Sequence, residues 1–197
     1  MSARTHYLAV ATLLSLAATY FTLIPFEFQA VSWDEAVRSF ARALPTTVRP
    51  ISPSNFAANV LFFVPLGYGL AGALLVDRRG HWAAIRGAVA TMAMCFVVSV
   101  LLEFSQVWFP SRHPSASDIL AQQVGALLGM GLWLGAGQWI TDTIRDRVAR
   151  AGSVKLVEWL LYSYLLGFVI YHLFPFDFVV QPGAVFRKYA AGQIGLA

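Results

Sequence analysis

Charged residues are scarce in this sequence. Asp, Glu, Lys and Arg together make up 12% of the 197 residues, whereas soluble domains contain roughly 25%. Hydrophobic residues account for 58%, and the mean hydropathy is +0.63. This composition argues against a soluble domain. We predict an all-α integral membrane protein instead, with lipid in contact with most of its surface.

Cysteine is almost absent, because Cys95 is the single one. An intrachain disulfide is therefore excluded, and the position of Cys95 within an apolar run indicates an inert buried thiol rather than a nucleophile. The histidines lack metal-binding spacing, and no G-x-S-x-G nucleophile motif occurs. The sequence predicts no metal site and no cofactor.

The basic residues also lack the distribution of a nucleic-acid-binding protein. The net charge is +4 and the sequence pI is about 9.5, but Lys and Arg lie between apolar runs rather than on one face or tail. We expect a membrane lipid, and no nucleic acid, among the partners. The sequence does not indicate an oligomeric state.

Long apolar runs are abundant, and a helix of about 20 residues is enough to cross a bilayer. The segments between the runs carry charges and turn-forming residues. We predict a polytopic bundle of about five spans, with a four-helix membrane domain over residues 1–140. Residues 141–197 would contain a cytoplasmic loop, the fifth helix and an outer tail. The five runs cover residues 7–26, 56–76, 87–109, 118–140 and 156–176.

The distribution of Lys and Arg predicts the orientation of this bundle. With the N-terminus inside, 8 of the 14 basic residues fall on the cytoplasmic side and 6 on the outer side. Cytoplasmic loops carry the excess of basic residues in membrane proteins. We therefore expect a multi-pass protein of the inner (plasma) membrane with its N-terminus in and its C-terminus out.

The segment between the first two runs contains a second kind of helical pattern. Apolar residues recur there at helical spacing, which predicts a short interfacial helix on the outer leaflet; a solvated loop is the alternative. The residues of this pattern are Trp33, Val37, Phe40, Ala41 and Leu44.

An internal repeat links the first and fifth runs. The segment FTLIPFEFQ around Pro25 resembles YHLFPFDFVV around Pro175. Both place Pro, Phe, an acid and Phe where the chain leaves the membrane. The fifth helix would then be the first helix of a truncated second copy.

Strongly polar residues within membrane spans are costly and usually line a bundle interior or a water-filled cavity. In the predicted topology all of them fall in the outer half, which predicts one outward-facing polar site. They are Glu27, Asn59, Glu103, Gln106, Asp118, Gln122 and Asp177.

Glu103 is the deepest of these residues, and an uncompensated carboxylate there would be costly. We expect it to be neutral or to pair with Arg112 just beyond the helix end. Asp118 begins the fourth run, where an acid can either cap the helix or contact a ligand. Gly125 and Gly129 form a small-xxx-small pattern, which indicates close helix packing.

Three stretches carry a resemblance to a known family: IPFEF (24–28), NVLFFVPLG (59–67) and EFSQVWFPSRHPSASDILAQQVGALLG (103–129). They resemble the VanZ-like family over about residues 20–135. The resemblance implies a small bacterial inner-membrane protein. The family is named for a member associated with low-level resistance to the glycopeptide teicoplanin. Gln122 stands where the family usually has Asn. The matching positions are Asn59, Phe63, Pro65, Gly67, Glu103, Gln106, Arg112, Asp118, Gly125 and Gly129.

These patterns leave three functions open. The favoured one is a binding or transport-like protein whose outward polar cleft handles a lipid-linked, glycopeptide or other cell-envelope ligand. The second is an intramembrane enzyme in which Glu103 and Asp118 perform acid–base chemistry on such a lipid. In the third, the polar residues only cap and pair helix ends. The candidate ligand-binding residues are Asn59, Glu103, Gln106, Arg112, Asp118 and Gln122.

Overall fold

The computed structural model describes residues 2–46 and 53–150, with side chains except those of residues 45, 46 and 150. Within these ranges the chain forms helices and connecting turns and contains no strand. The all-α class predicted from the sequence is confirmed. The elements are α1 (Ala3–Leu23), α2 (Trp33–Thr46), α3 (Pro53–Leu75), α4 (His81–Ser105), a 3₁₀ turn (Gln106–Trp108), α5 (Ala116–Leu132), a π-helical turn (Trp133–Gly137) and α6 (Gln138–Arg150).

Four helical segments are long and apolar enough to cross a membrane. They correspond to the first four predicted runs, and the protein is a multi-pass helical membrane protein. The predicted fifth helix and the second Pro-Phe-acid-Phe segment lie outside the described residues, and the orientation in the membrane stays a prediction. The four segments are Ala3–Leu23, Pro53–Leu75, His81–Trp108 and Ala116–Ala149.

Two predicted loops are shorter than expected. The loop predicted over 77–86 is wrong over its second half, because α4 begins at His81. Gly80 precedes this helix with a φ of +99°, a conformation that glycine adopts without steric cost. The loop predicted over 141–155 is wrong over 141–150, where α6 continues. No Gly or Pro interrupts α6, so the helix extends beyond the apolar run.

Helices α3 and α5 pack closely because glycines line their contact. A Cβ atom at Gly125 would overlap the carbonyl oxygen of Val60, and one at Gly129 would overlap that of Val64. Small residues allow this backbone approach between membrane helices. The packing role predicted for both glycines is confirmed.

The outer surface of the bundle is rich in large apolar side chains. On α1, Leu13 and Leu16 are 66% and 62% exposed, and α4 exposes Val89 and Phe96 in the same way. An apolar exterior of this kind suits contact with lipid tails rather than water.

The amphipathic helix predicted between the first two spans is α2. Trp33 and Phe40 both contact the ring of Phe104 edge-on, each with ring centroids 5.3 Å apart. Trp108 Nε1 donates a hydrogen bond to the Val31 carbonyl at 3.1 Å. These contacts attach α2 to the end of α4, and its position at the membrane surface stays a prediction.

Candidate functional site

A polar cleft lies where four helices end on the same side of the bundle. α1 and α4 end there, and α3 and α5 begin there. The cleft has a volume of about 320 Å³. Five of the six candidate ligand-binding residues line it: Asn59, Glu103, Gln106, Arg112 and Asp118. The structure therefore brings these residues together, and their ligand-binding role stays a prediction.

Glu103 lies at the base of the cleft and is only 1% exposed. The Ser115 backbone N–H donates to its Oε2 at 2.9 Å, and Gln122 Nε2 donates to its Oε1 at 3.2 Å. Both carboxylate oxygens are thus engaged by protein donors, which offset the cost of removing the group from water.

Gln122, on α5, is buried and connects α4 to α3. Its Nε2 also donates to Asn59 Oδ1 at 3.1 Å. Asn59 Nδ2 donates to the Asn55 carbonyl at 3.1 Å, and Asn55 Nδ2 donates to Asp118 Oδ1 at 2.8 Å. An amide network therefore links Glu103 to Asp118 across α3, α4 and α5.

Of the two alternatives expected for Glu103, a neutral carboxyl group or an ion pair with Arg112, the ion pair does not form. Arg112 instead donates through Nε to the Ile24 carbonyl at 2.8 Å, and through Nη2 to the same oxygen. Ile24 is the C-cap of α1, where carbonyl groups have no partner within the helix. A cation there also complements the helix dipole. Glu103, in turn, already has its donors from Ser115 and Gln122.

Asp118 lies in the first turn of α5 and is half-buried. The N-cap of this helix is Ser115. In the part of the chain that the structure describes, the Asp118 carboxylate accepts its hydrogen bond from the Asn55 side chain and not from an amide of the first turn. The favourable dipole interaction remains, but Asp118 does not cap the helix by hydrogen bonding.

Several cleft residues could not be identified from the sequence analysis. Asn55 was excluded because the second run was started one residue after it, although Asn55 and Asn59 have the i, i+4 spacing of one helix face. Phe21 and Phe62 form an aromatic wall of the cleft, with ring centroids 5.6 Å apart. Nothing in the sequence distinguishes them from the other phenylalanines. His113 is exposed and lines the cleft.

Two other residues predicted to share the polar site differ from this group. Glu27 is exposed and is not among the residues that line the cleft, and Asp177 lies outside the described residues. Within residues 2–46 and 53–150, no group of three or more His, Cys, Asp or Glu side chains is placed to hold a metal ion.

Comparison with known proteins gives one match. The family model described as VanZ/LLP1 matches residues 4–140, a range that contains every helix around the cleft. No curated protein and no solved structure matches the chain.

Proposed function

The chain belongs to the VanZ/LLP1 family, and we propose that its polar cleft binds the headgroup of a lipid or lipid-linked molecule of the cell envelope. The observation that carries this proposal is the buried carboxylate of Glu103 at the base of a cleft shared by four membrane helices. Ionisable groups at such positions in membrane proteins usually serve function.

The size and position of the cleft support a headgroup as the ligand. Small-molecule pockets have volumes of roughly 300–1,000 Å³, so a cleft of about 320 Å³ suits a headgroup rather than a whole glycopeptide. The cleft lies at the ends of the membrane helices, which is the level of lipid headgroups. The acyl chains would then lie along the apolar exterior of the bundle.

The distribution of basic residues supports the outer leaflet of the inner (plasma) membrane. Arg4, Arg78, Arg79 and Arg86 lie near the helix ends opposite the cleft, and an excess of basic residues marks the cytoplasmic side. Because the family is named for a member associated with teicoplanin resistance, susceptibility to glycopeptides is the cellular readout we expect to change when the cleft is disrupted.

An enzyme acting on such a lipid is the second candidate. One observation favours it: Glu103 and Asp118 line the same cleft, as a pair of acid–base residues would. Protein donors engage both oxygens of Glu103, whereas Asp118 is half-buried and has one such donor among the described residues. Asp118 would therefore be the residue that contacts substrate in either function.

One experiment tests the proposal and separates it from catalysis. The wild type, Asp118→Asn and the control Asp142→Asn are purified in mild detergent, and bound lipids are counted by native mass spectrometry. Asp142 is exposed, belongs to α6 and does not line the cleft. We expect lipid to be retained by the wild type and by the control, and depleted from Asp118→Asn.

Equal lipid retention in all three proteins would contradict binding in the cleft. For the enzyme, incubation of the wild type with extracted envelope lipids would yield a new lipid species that Asp118→Asn does not produce. The same lipid masses before and after incubation would exclude turnover of those lipids.

A further inference from the structure

The charges of the cleft are unfavourable for an anionic headgroup. Among the described residues that line it, Arg112 is the only Lys or Arg, Glu103 and Asp118 are both acids, and His113 is the one histidine. A phosphate group would approach two carboxyl groups, one guanidinium and one imidazole. Because like charges repel strongly where water is partly excluded, this cleft is poorly suited to phosphate.

One of the two bidentate edges of the Arg112 guanidinium is engaged within the protein, which reduces what Arg112 can offer a phosphate. Arginine binds phosphate best through two parallel N–H groups. Arg112 directs Nε and Nη2, which form one such edge of the guanidinium, at the Ile24 carbonyl. The cation therefore serves mainly to hold the α4–α5 loop against the end of α1.

The remaining polar groups suit hydroxyl groups. Among the described residues, Asp118 receives one hydrogen bond, from Asn55, and a carboxylate has about four acceptor sites. Amide and hydroxyl side chains line the same cleft, and each of these groups has both a donor and an acceptor. Sugar hydroxyls also donate and accept, so they match this mixture. These side chains are Thr22, Asn55, Asn59, Gln106 and Ser111.

An aromatic wall adds a surface for a sugar ring. Phe21 and Phe62 both line the cleft, and their rings are inclined at 46°. The face of an aromatic ring carries partial negative charge, which attracts the weakly positive C–H groups on one face of a sugar. Acidic and amide groups beside an aromatic face therefore favour a saccharide or polyol.

From these features we propose that the cleft takes the neutral saccharide or polyol headgroup of an envelope lipid, with hydroxyl groups donating to Asp118, and that it discriminates against phosphate headgroups. This inference rests on the proposed function and specifies the chemistry of its ligand. The sugar is held between Asp118 and the Phe21–Phe62 wall.

The test compares defined probes in a polyoxyethylene detergent, which contains no sugar. Monoglucosyl-diacylglycerol and phosphatidic acid with the same acyl chains are titrated by native mass spectrometry, and methyl glucoside is added as a competitor. We expect the glycolipid to bind at least about tenfold more tightly than phosphatidic acid. Asp118→Asn should weaken glycolipid binding by about tenfold, because a charge-assisted hydrogen bond becomes a neutral one. The control Asp142→Asn should bind as the wild type does.

A second variant keeps the test informative if Asp118→Asn is poorly folded. Phe62→Leu retains an apolar side chain but removes the ring, so it should weaken glycolipid binding and leave the low affinity for phosphatidic acid unchanged. Displacement of the glycolipid by excess methyl glucoside would support the sugar chemistry.

Two results would overturn the inference in distinguishable ways. Tighter binding of phosphatidic acid, strengthened by Asp118→Asn, would refute the saccharide headgroup and leave a lipid-binding cleft in place. Binding of both lipids that neither Asp118→Asn nor Phe62→Leu alters would refute the saccharide headgroup and the proposed function together.

Discussion

Replacement of Glu103 by Leu tests the hydrogen-bond network at the base of the cleft. Leucine has a similar size but no acceptor, so the Ser115 N–H loses its partner and Gln122 loses one of two. A buried donor without an acceptor costs about 1–3 kcal/mol. Because Gln122 keeps its bond to Asn59 and the Ser115 N–H is partly buried, we count one penalty at most and expect a destabilisation of about 1–3 kcal/mol.

Replacement of Glu103 by Gln should have a smaller effect. The amide introduced by Glu103→Gln keeps one oxygen that can accept the hydrogen bond from the Ser115 N–H. Its NH₂ group then faces Gln122 Nε2, which is also a donor. Gln122 Oε1 is buried without a partner among the described residues, so rotation of the Gln122 amide would give that NH₂ group an acceptor. We therefore expect Glu103→Gln to lie between the wild type and Glu103→Leu in stability.

The assay is unfolding in detergent, followed by tryptophan fluorescence, for both single variants, Gln122→Leu and the double variant Glu103→Leu/Gln122→Leu. Direct contact between the two side chains predicts non-additivity of about 0.5–3 kcal/mol, with the double variant less destabilised than the sum of the single ones. Wild-type stability in Glu103→Leu, or strict additivity in the double variant, would refute the reasoning.

Two further predictions concern the contacts that hold the helix ends and the helix core. Arg112→Ala should lower the free energy of unfolding by about 1.5–3 kcal/mol, because charge-assisted hydrogen bonds to the Ile24 carbonyl are lost. Arg112→Lys should restore part of this free energy. Denaturant titration of both variants checks the prediction, and wild-type stability in Arg112→Ala would contradict it. Gly129→Ala should destabilise the protein because the added methyl group would overlap the Val64 carbonyl at a close helix–helix contact. The matched control is Gly131→Ala, whose Cβ would meet no atom within 4 Å, and equal thermal stability of the two variants would contradict close packing at Gly129.

The sequence was sufficient to predict the four spans that the structure describes and the end of the bundle that carries the polar site. Membrane spans depend on the length of an apolar run, which is a property of the sequence alone. The shared position of Asn59, Glu103 and Asp118 followed from the topology, because antiparallel helices bring alternate helix ends together. The glycines of α5 were also recognisable from their spacing.

The individual partners in the site could not be predicted in the same way. Arg112 was assigned to Glu103 because it lies just beyond the end of the same helix, but it binds a carbonyl at the end of another helix, and a backbone carbonyl leaves no sequence signal. Likewise, the Glu103 partner at Ser115 is a backbone N–H, which every residue except proline possesses. The extent of α6 was missed because the apolar run ends before the helix does.

A photoreactive residue in the cleft would report which lipids occupy the cleft in the membrane. Such a residue replaces Ser111, which is exposed and lines the cleft; a second protein carries it at Arg79, exposed on the α3–α4 turn. Both are irradiated in envelope membranes, with and without Asp118→Asn, and the lipid adducts are identified by mass spectrometry. We predict that the adducts at position 111 are enriched in one class of glycosylated lipid and that Asp118→Asn abolishes this enrichment. Position 79 should give adducts in proportion to the bulk lipids. Adducts at position 111 that follow the bulk composition and do not respond to Asp118→Asn would contradict a lipid-binding cleft.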